Sequence, residues 1–141
     1  MSDHDRICAK LEKLQTYYTE LKSLSSISLD EYISNSIYRR AVERTMQLIV
    51  ECATDINNML LKMQSGKGAA DYFNSFIDIA EQDIIPIEFA LKIAPSTGLR
   101  NILVHEYEKI DDEVVYSSIN TCLQYYLEYM DLINQYLKCI I

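Results

Sequence analysis

Glycine and proline are scarce: the 141 residues hold three Gly and two Pro. Tight turns between strands draw on these two residues most, and their place is taken by Leu, Ile, Glu, Lys and Tyr, a mixture that suits long helices. The expected fold class is therefore all-α. No Pro, Gly or Ser-rich stretch is long enough to serve as a linker, so residues 1–141 are expected to form one domain. No apolar run approaches the roughly 20 residues that span a bilayer. Met1 to Lys10 carry Asp3, Asp5 and Arg6 where a secretory signal needs a continuous apolar core. The expectation is a cytoplasmic protein without a membrane partner. The four cysteines, Cys8, Cys52, Cys122 and Cys139, form no C-x-x-C pair, which argues against a zinc site or a disulfide framework and for buried free thiols. The Glu-x-x-His pairs of di-iron bundles are missing as well, so neither a metal nor another cofactor is expected. Basic residues are outnumbered, 13 Lys and Arg against 21 Asp and Glu, for a net charge of −8. Indiscriminate nucleic-acid binding runs on an excess of cations, so any contact with RNA has to be local.

What the chain does have is apolar periodicity. Ile7, Leu11, Leu14, Tyr18 and Leu21 recur every three or four positions and predict an amphipathic helix over residues 5–24. Ser23 to Ser28 break it. Ser28, with Glu31 three residues on, reads as the cap of a second helix running to about Gln64. In it Ile33, Ile37, Ala41, Leu48, Cys52, Ile56, Met59 and Met63 mark an apolar side, and Arg40, Arg44, Gln47, Glu51, Asp55 and Asn58 a polar one. Ser65-Gly66-Lys67-Gly68 is the clearest loop. Tyr72 to Ala80 predicts a short helix. Pro86 suits the first turn of another, which Pro95 ends. Ala94 is expected to leave helical angles before that proline, and Ser96 or Thr97 to cap a helix containing Leu99 to Tyr107. Asp111 or Asp112 caps a last long helix with the stripe Val115, Ile119, Cys122, Tyr126, Met130, Ile133 and Leu137. Four to six helices and no strand pattern predict an antiparallel bundle.

One segment stands out, Arg100-Asn101-Ile102-Leu103-Val104-His105-Glu106-Tyr107. His105 is one of two histidines, and the other, His4, sits near the amino terminus. An imidazole has a reference pKa near 6.5 and exchanges protons at neutral pH. A guanidinium is permanently charged and offers a planar fork of donors to a phosphate. Asn101 lies one turn before His105 and faces the same way on a continuous helix. Five residues put Arg100 and His105 about 140° apart around the helix axis. Tyr107, two turns beyond Arg100, reaches the same face if the helix persists.

The order Arg, four residues, His, one residue, Tyr, inside a bundle and ahead of a long acid-capped helix, resembles the motif of the HepT-like toxin ribonucleases of the HEPN superfamily. The polar face of Arg40, Arg44, Gln47, Glu51 and Asp55 resembles that family's polar helix, and the likeness runs from about residue 29 onward. It implies an HEPN-type bundle and the toxin half of a toxin and antitoxin pair. The implied reaction is metal-independent cleavage of RNA, transfer or messenger, in which the ribose 2′-hydroxyl attacks phosphorus. His105 would be the acid or base, Arg100 the phosphate ligand and Asn101 a helper. The resemblance also implies a homodimer whose two motif helices share a cleft, or a larger hetero-oligomer with the antitoxin. That antitoxin would be an MntA-type nucleotidyltransferase, silencing the toxin by transferring AMP to Tyr107. Arg40, Arg44, Glu51 and Asp55 fit either a solvated face or a polar network supporting the motif helix. Tyr125, Tyr126 and Tyr129 suit core packing or a dimer surface better than base stacking. The competing reading is a non-catalytic subunit that only binds a nucleotidyltransferase.

Overall fold

The computed structural model of the protein describes residues 2–140. Its helices are α1 (Asp3–Leu24), α2 (Leu29–Ser34), α3 (Ser36–Ser65), α4 (Tyr72–Glu81), α5 (Ile87–Ile93), α6 (Ser96–His105) and α7 (Asp112–Cys139), with a 3-10 turn at Tyr107–Lys109. The all-α expectation holds, and α2 and α3 are the two parts of the helix expected to be single. Asn35 divides them. It adopts extended angles and its side chain accepts from the Tyr38 amide, capping α3, while the Arg39 guanidinium reaches back to the Ile33 carbonyl that the break leaves over.

Capping explains most other boundaries. Ser2 and Asp5 form a reciprocal capping box at α1, Ser28 accepts from Glu31 at α2, Gly66 ends α3 in the left-handed region that a side chain disfavours, and Asp111 accepts from Glu113 and Val114 at α7. The Pro95 junction departs from expectation. Ala94 stays at helical angles, and the hydroxyls of Ser96 and Thr97 donate backward to the Ile93 and Ala94 carbonyls instead of capping α6. The chain thus passes from α5 to α6 through a continuous turn.

Side-chain bonds set the directions. Tyr38 of α3 donates to the Leu24 carbonyl at 2.8 Å, and Lys10 pairs with Asp55 at 3.0 Å, so α1 runs antiparallel to α3. Tyr129 of α7 meets Ala53 and Asn57, and Tyr136 meets Gln64, so α3 and α7 run in the same sense. The crossover through α4, α5 and α6 makes that possible. The core lies between these three long helices and the shorter α4 and α5, which bury Phe76, Ile79, Phe89 and Ile93 in it. All seven apolar positions read for α7 are buried, with Tyr129 added. Of the apolar side expected over α2 and α3, Ile33 of α2 and Ile37, Ala41 and Met63 of α3 are instead exposed, Ile37 by 82%. The core is filled by Val42, Met46, Ile49, Val50, Ala53, Ile56 and Leu60. Of the thiols, Cys52 and Cys122 are buried, Cys8 is half-buried and Cys139 is exposed. Among the described residues no helix is long and apolar enough to cross a membrane.

Candidate functional site

The motif helix α6 packs against α3, and the link between them is an ion pair. Arg100 directs Nε and Nη2 to Glu51 Oε2 at 2.9 and 2.5 Å. Gln47, one turn earlier on α3, donates to the same oxygen at 3.1 Å. On its other side the Arg100 guanidinium lies over the Tyr72 ring, 4.6 Å from its centroid, an attraction between a cation and the ring's negative face. The Arg100 side chain is 13% exposed and that of Glu51 25%, so the fork is held in a partly desolvated setting where its bonds are worth more than in water. The Nη1 edge is left toward Asn101, whose Oδ1 is 3.3 Å away.

The support for Tyr72 is a buried polar chain. The Tyr129 hydroxyl lies 2.6 Å from Asn57 Oδ1, Asn57 donates to the Ser75 hydroxyl at 3.0 Å, and Ser75 donates to the Tyr72 carbonyl at 2.7 Å. Asn57, Ser75 and Tyr129 are fully buried. Unpaired polar atoms there would cost about 1–3 kcal/mol each, so the chain fixes the first turn of α4 against α3 and α7. Burial pushes the Tyr129 phenol far above its ordinary range, which keeps it a neutral donor.

Arg100, Asn101 and His105 border one open groove, together with Asp71, Tyr72 and Phe73 from the start of α4. The 140° separation on α6 is thus spanned by the groove's width, with Arg100 drawn inward by Glu51 and His105 exposed at the helix end. Tyr107 is elsewhere. α6 ends at His105, Glu106 takes non-helical angles, and Tyr107 begins the 3-10 turn, 68% exposed. The turn is closed by the Lys109 amide on the Glu106 carbonyl at 2.7 Å and leads into the Asp111 cap. Tyr107 therefore does not lie two helical turns from Arg100, and it shares with His105 a second, adjacent depression.

The polar residues read on α3 separate. Glu51 reaches the motif helix, with Gln47 bonded to Glu51 on the same helix, whereas Arg40 pairs with Glu43 at 3.0 Å, Asp55 pairs with Lys10, and Arg44 is exposed. Tyr126 and Tyr129 are core residues and Tyr125 is half-buried. Beside Tyr125 and Tyr126 an apolar cleft opens between α3, α6 and α7, lined by Met46, Val50, Leu99 and Leu103. No three His, Cys, Asp or Glu side chains among the described residues converge as metal ligands do. Tyr72 and Asp71 carry no sequence signal of their own; their place beside Arg100 follows from tertiary packing alone.

A family model described as ribonuclease HepT-like matches residues 14–133. A tRNA nuclease HepT from Aphanizomenon flos-aquae is 43% identical over 129 residues, covering 91% of this chain and 87% of that protein. A putative RNase from Archaeoglobus fulgidus is 32% identical over 130 residues, covering 92% and 94%. In fold, the chain matches a tri-AMPylated HEPN toxin from Shewanella oneidensis, solved in complex with an MNT antitoxin, with a TM-score of 0.83. That match has 20% identity and covers 96% of this chain and 99% of the toxin.

Proposed function

The chain belongs to the family of HepT-like ribonucleases, and from that premise we propose that it is the toxin of a toxin and antitoxin pair, cutting RNA without a metal ion. The observation that carries this reading is the convergence of Arg100, Asn101 and His105 on one open groove, with Arg100 braced by Glu51 and Tyr72. A braced guanidinium meets a phosphate without first paying to order its long side chain.

In the proposed step a base takes the proton of the ribose 2′-hydroxyl, the 2′-oxygen bonds to phosphorus, and the bond from phosphorus to the 5′-oxygen breaks. That leaving oxygen takes a proton from an acid. The products are a cyclic phosphate and a 5′-hydroxyl. His105 serves as acid or base, and Arg100 stabilises the added charge on the phosphoryl oxygens as the transition state forms. Asn101 holds the Nη1 edge of the guanidinium toward the phosphate.

The reaction needs two proton-transfer groups and the groove offers one imidazole. A homodimer pairing two grooves supplies the second. It also supplies a second guanidinium, which matters because Glu51 offsets much of the charge of Arg100 and Asp71 adds a negative one. The exposed phenol of Tyr107 is the proposed acceptor of AMP from a nucleotidyltransferase antitoxin of the MntA type. Its oxygen bonds to the α-phosphorus of a nucleoside triphosphate and pyrophosphate leaves. The phosphodiester formed beside His105 carries negative charge to the mouth of the groove and repels RNA. The relative from Aphanizomenon flos-aquae is a tRNA nuclease, and transfer RNA is the substrate proposed first.

The test is incubation of purified protein, shown by mass spectrometry to be unmodified, with transfer RNA in EDTA. We expect cleavage by the wild type and its loss in His105→Ala and Arg100→Ala. Intact RNA with the unmodified wild type would favour a non-catalytic subunit that binds the nucleotidyltransferase.

A further inference from the structure

The first turn of α4 forms the groove's opposite wall, and its outermost aromatic has no part in the chemistry above. Phe73 keeps 44% of its surface exposed, whereas the other two phenylalanines, Phe76 and Phe89, are buried. An exposed phenyl forgoes the stabilisation that burying its ring would bring. Its position is nevertheless firmly set. Asp71 caps the turn by accepting from the Asn74 amide at 2.8 Å, and the Ser75 and Asn57 chain anchors the turn from beneath. The preceding residue, Tyr72, is the ring under Arg100. The phenyl is thus one residue from the cation's brace, on the groove that Arg100 and His105 border.

Charge is distributed unevenly across that groove. The guanidinium of Arg100 invites a phosphate, while the Asp71 carboxylate, next to Tyr72 and Phe73, repels one. The part of a bound nucleotide that meets Phe73 is therefore uncharged, and the exposed phenyl offers it an apolar, aromatic surface. We infer that Phe73 is the stacking platform for the nucleobase adjoining the scissile phosphate, and that the substrate class is RNA unpaired at the cut. This rests on the ribonuclease reading of the same groove. A base inside an A-form helix already has its faces covered and cannot stack on a side chain, whereas a base in a loop, bulge or end can. Because every base has a π face, the platform selects unpaired structure over sequence.

The test uses the full unmodified chain and a single-stranded RNA oligonucleotide with one 2′-deoxy nucleotide at the cut, which blocks attack, and 2-aminopurine beside it. Stacking quenches that fluorophore. We expect wild type and Phe73→Tyr to quench it alike, and Phe73→Leu and Phe73→Ala to lose the quench and bind roughly 5- to 100-fold more weakly. With cleavable RNA the same two variants should lose kcat/KM mainly through KM. A hairpin that pairs the cut site should be a poor substrate for the wild type. If Phe73→Leu and Phe73→Ala quench and cleave like wild type while the wild type cuts RNA, the platform falls and the ribonuclease reading stands. If the wild type neither binds nor cuts any RNA, both fall. Quenching kept in Phe73→Ala but with weakened self-association in sedimentation would assign Phe73 to a subunit contact and overturn the proposal.

Discussion

The Arg100 and Glu51 pair lends itself to a double-mutant cycle, because it is the one ion pair joining the motif helix to the rest of the fold among the described residues. Arg100→Ala, Glu51→Ala and the double variant are compared by urea unfolding. A fully exposed pair would couple by about 0–1 kcal/mol, and breaking a fully buried one would cost about 3–5 kcal/mol. With side chains 13% and 25% exposed and two charge-assisted bonds sharing one carboxylate oxygen, the coupling should be about 2 kcal/mol. For a chain of 141 residues each kcal/mol moves the midpoint by roughly 3–5 °C, so Glu51→Ala should melt about 5–10 °C lower by circular dichroism. Glu51→Ala should also lower kcat, because a released guanidinium must be reordered around the phosphate. A coupling under about 0.5 kcal/mol, with kcat unchanged, would refute the bracing role of Glu51.

Other consequences are open to measurement. Tyr129→Phe removes the donor to Asn57 Oδ1 and the Ala53 carbonyl in a sealed site, and should cost about 1–3 kcal/mol by urea unfolding; a loss near zero would mean the buried chain is not formed. Tyr107→Phe should leave the midpoint within about 2 °C, since the phenol is exposed, and should abolish the AMP mass gained on co-expression with the nucleotidyltransferase. Burial pushes the Cys122 thiol up to about 12, so iodoacetamide at pH 8 should label Cys139, which is exposed, and spare Cys122 until the protein unfolds. The fold favours the neutral thiol, so its contribution to stability is intact below about pH 9 and is lost as pH rises toward 12, and Cys122→Ala should flatten that part of an alkaline unfolding profile.

Much of the bundle was legible in periodicity and caps. The α7 stripe, the Ser28 and Asp111 caps and the Gly66 stop each depend on residues within one or two turns, where sequence spacing and space coincide. Local spacing misleads where a distant partner decides the outcome. Ile33 and Ile37 match a helical apolar stripe, yet the chain breaks at Asn35, so the two fall on separate helices and both stay exposed while Tyr32, next to Ile33, is buried. Ala94 keeps helical angles before Pro95, and the Ser96 and Thr97 hydroxyls take up the Ile93 and Ala94 carbonyls at that junction. α6 stops at His105 without Gly or Pro, since the chain must turn into the Asp111 cap, and that displaces Tyr107. Within the site, Glu51 could be noticed on a polar face, but its bond to a residue 49 positions away, and the ring of Tyr72 on the other side of the same guanidinium, arise only when α3, α4 and α6 pack.

The most direct measurement is of the ends left on cleaved RNA. With metal chelated, the wild type should leave a 2′,3′-cyclic phosphate and a 5′-hydroxyl, and one 2′-deoxy nucleotide at the cut should stop cleavage there. Products with a 3′-hydroxyl and a 5′-phosphate, or undiminished cutting at the deoxy site, would contradict attack by the ribose hydroxyl in the groove of Arg100 and His105.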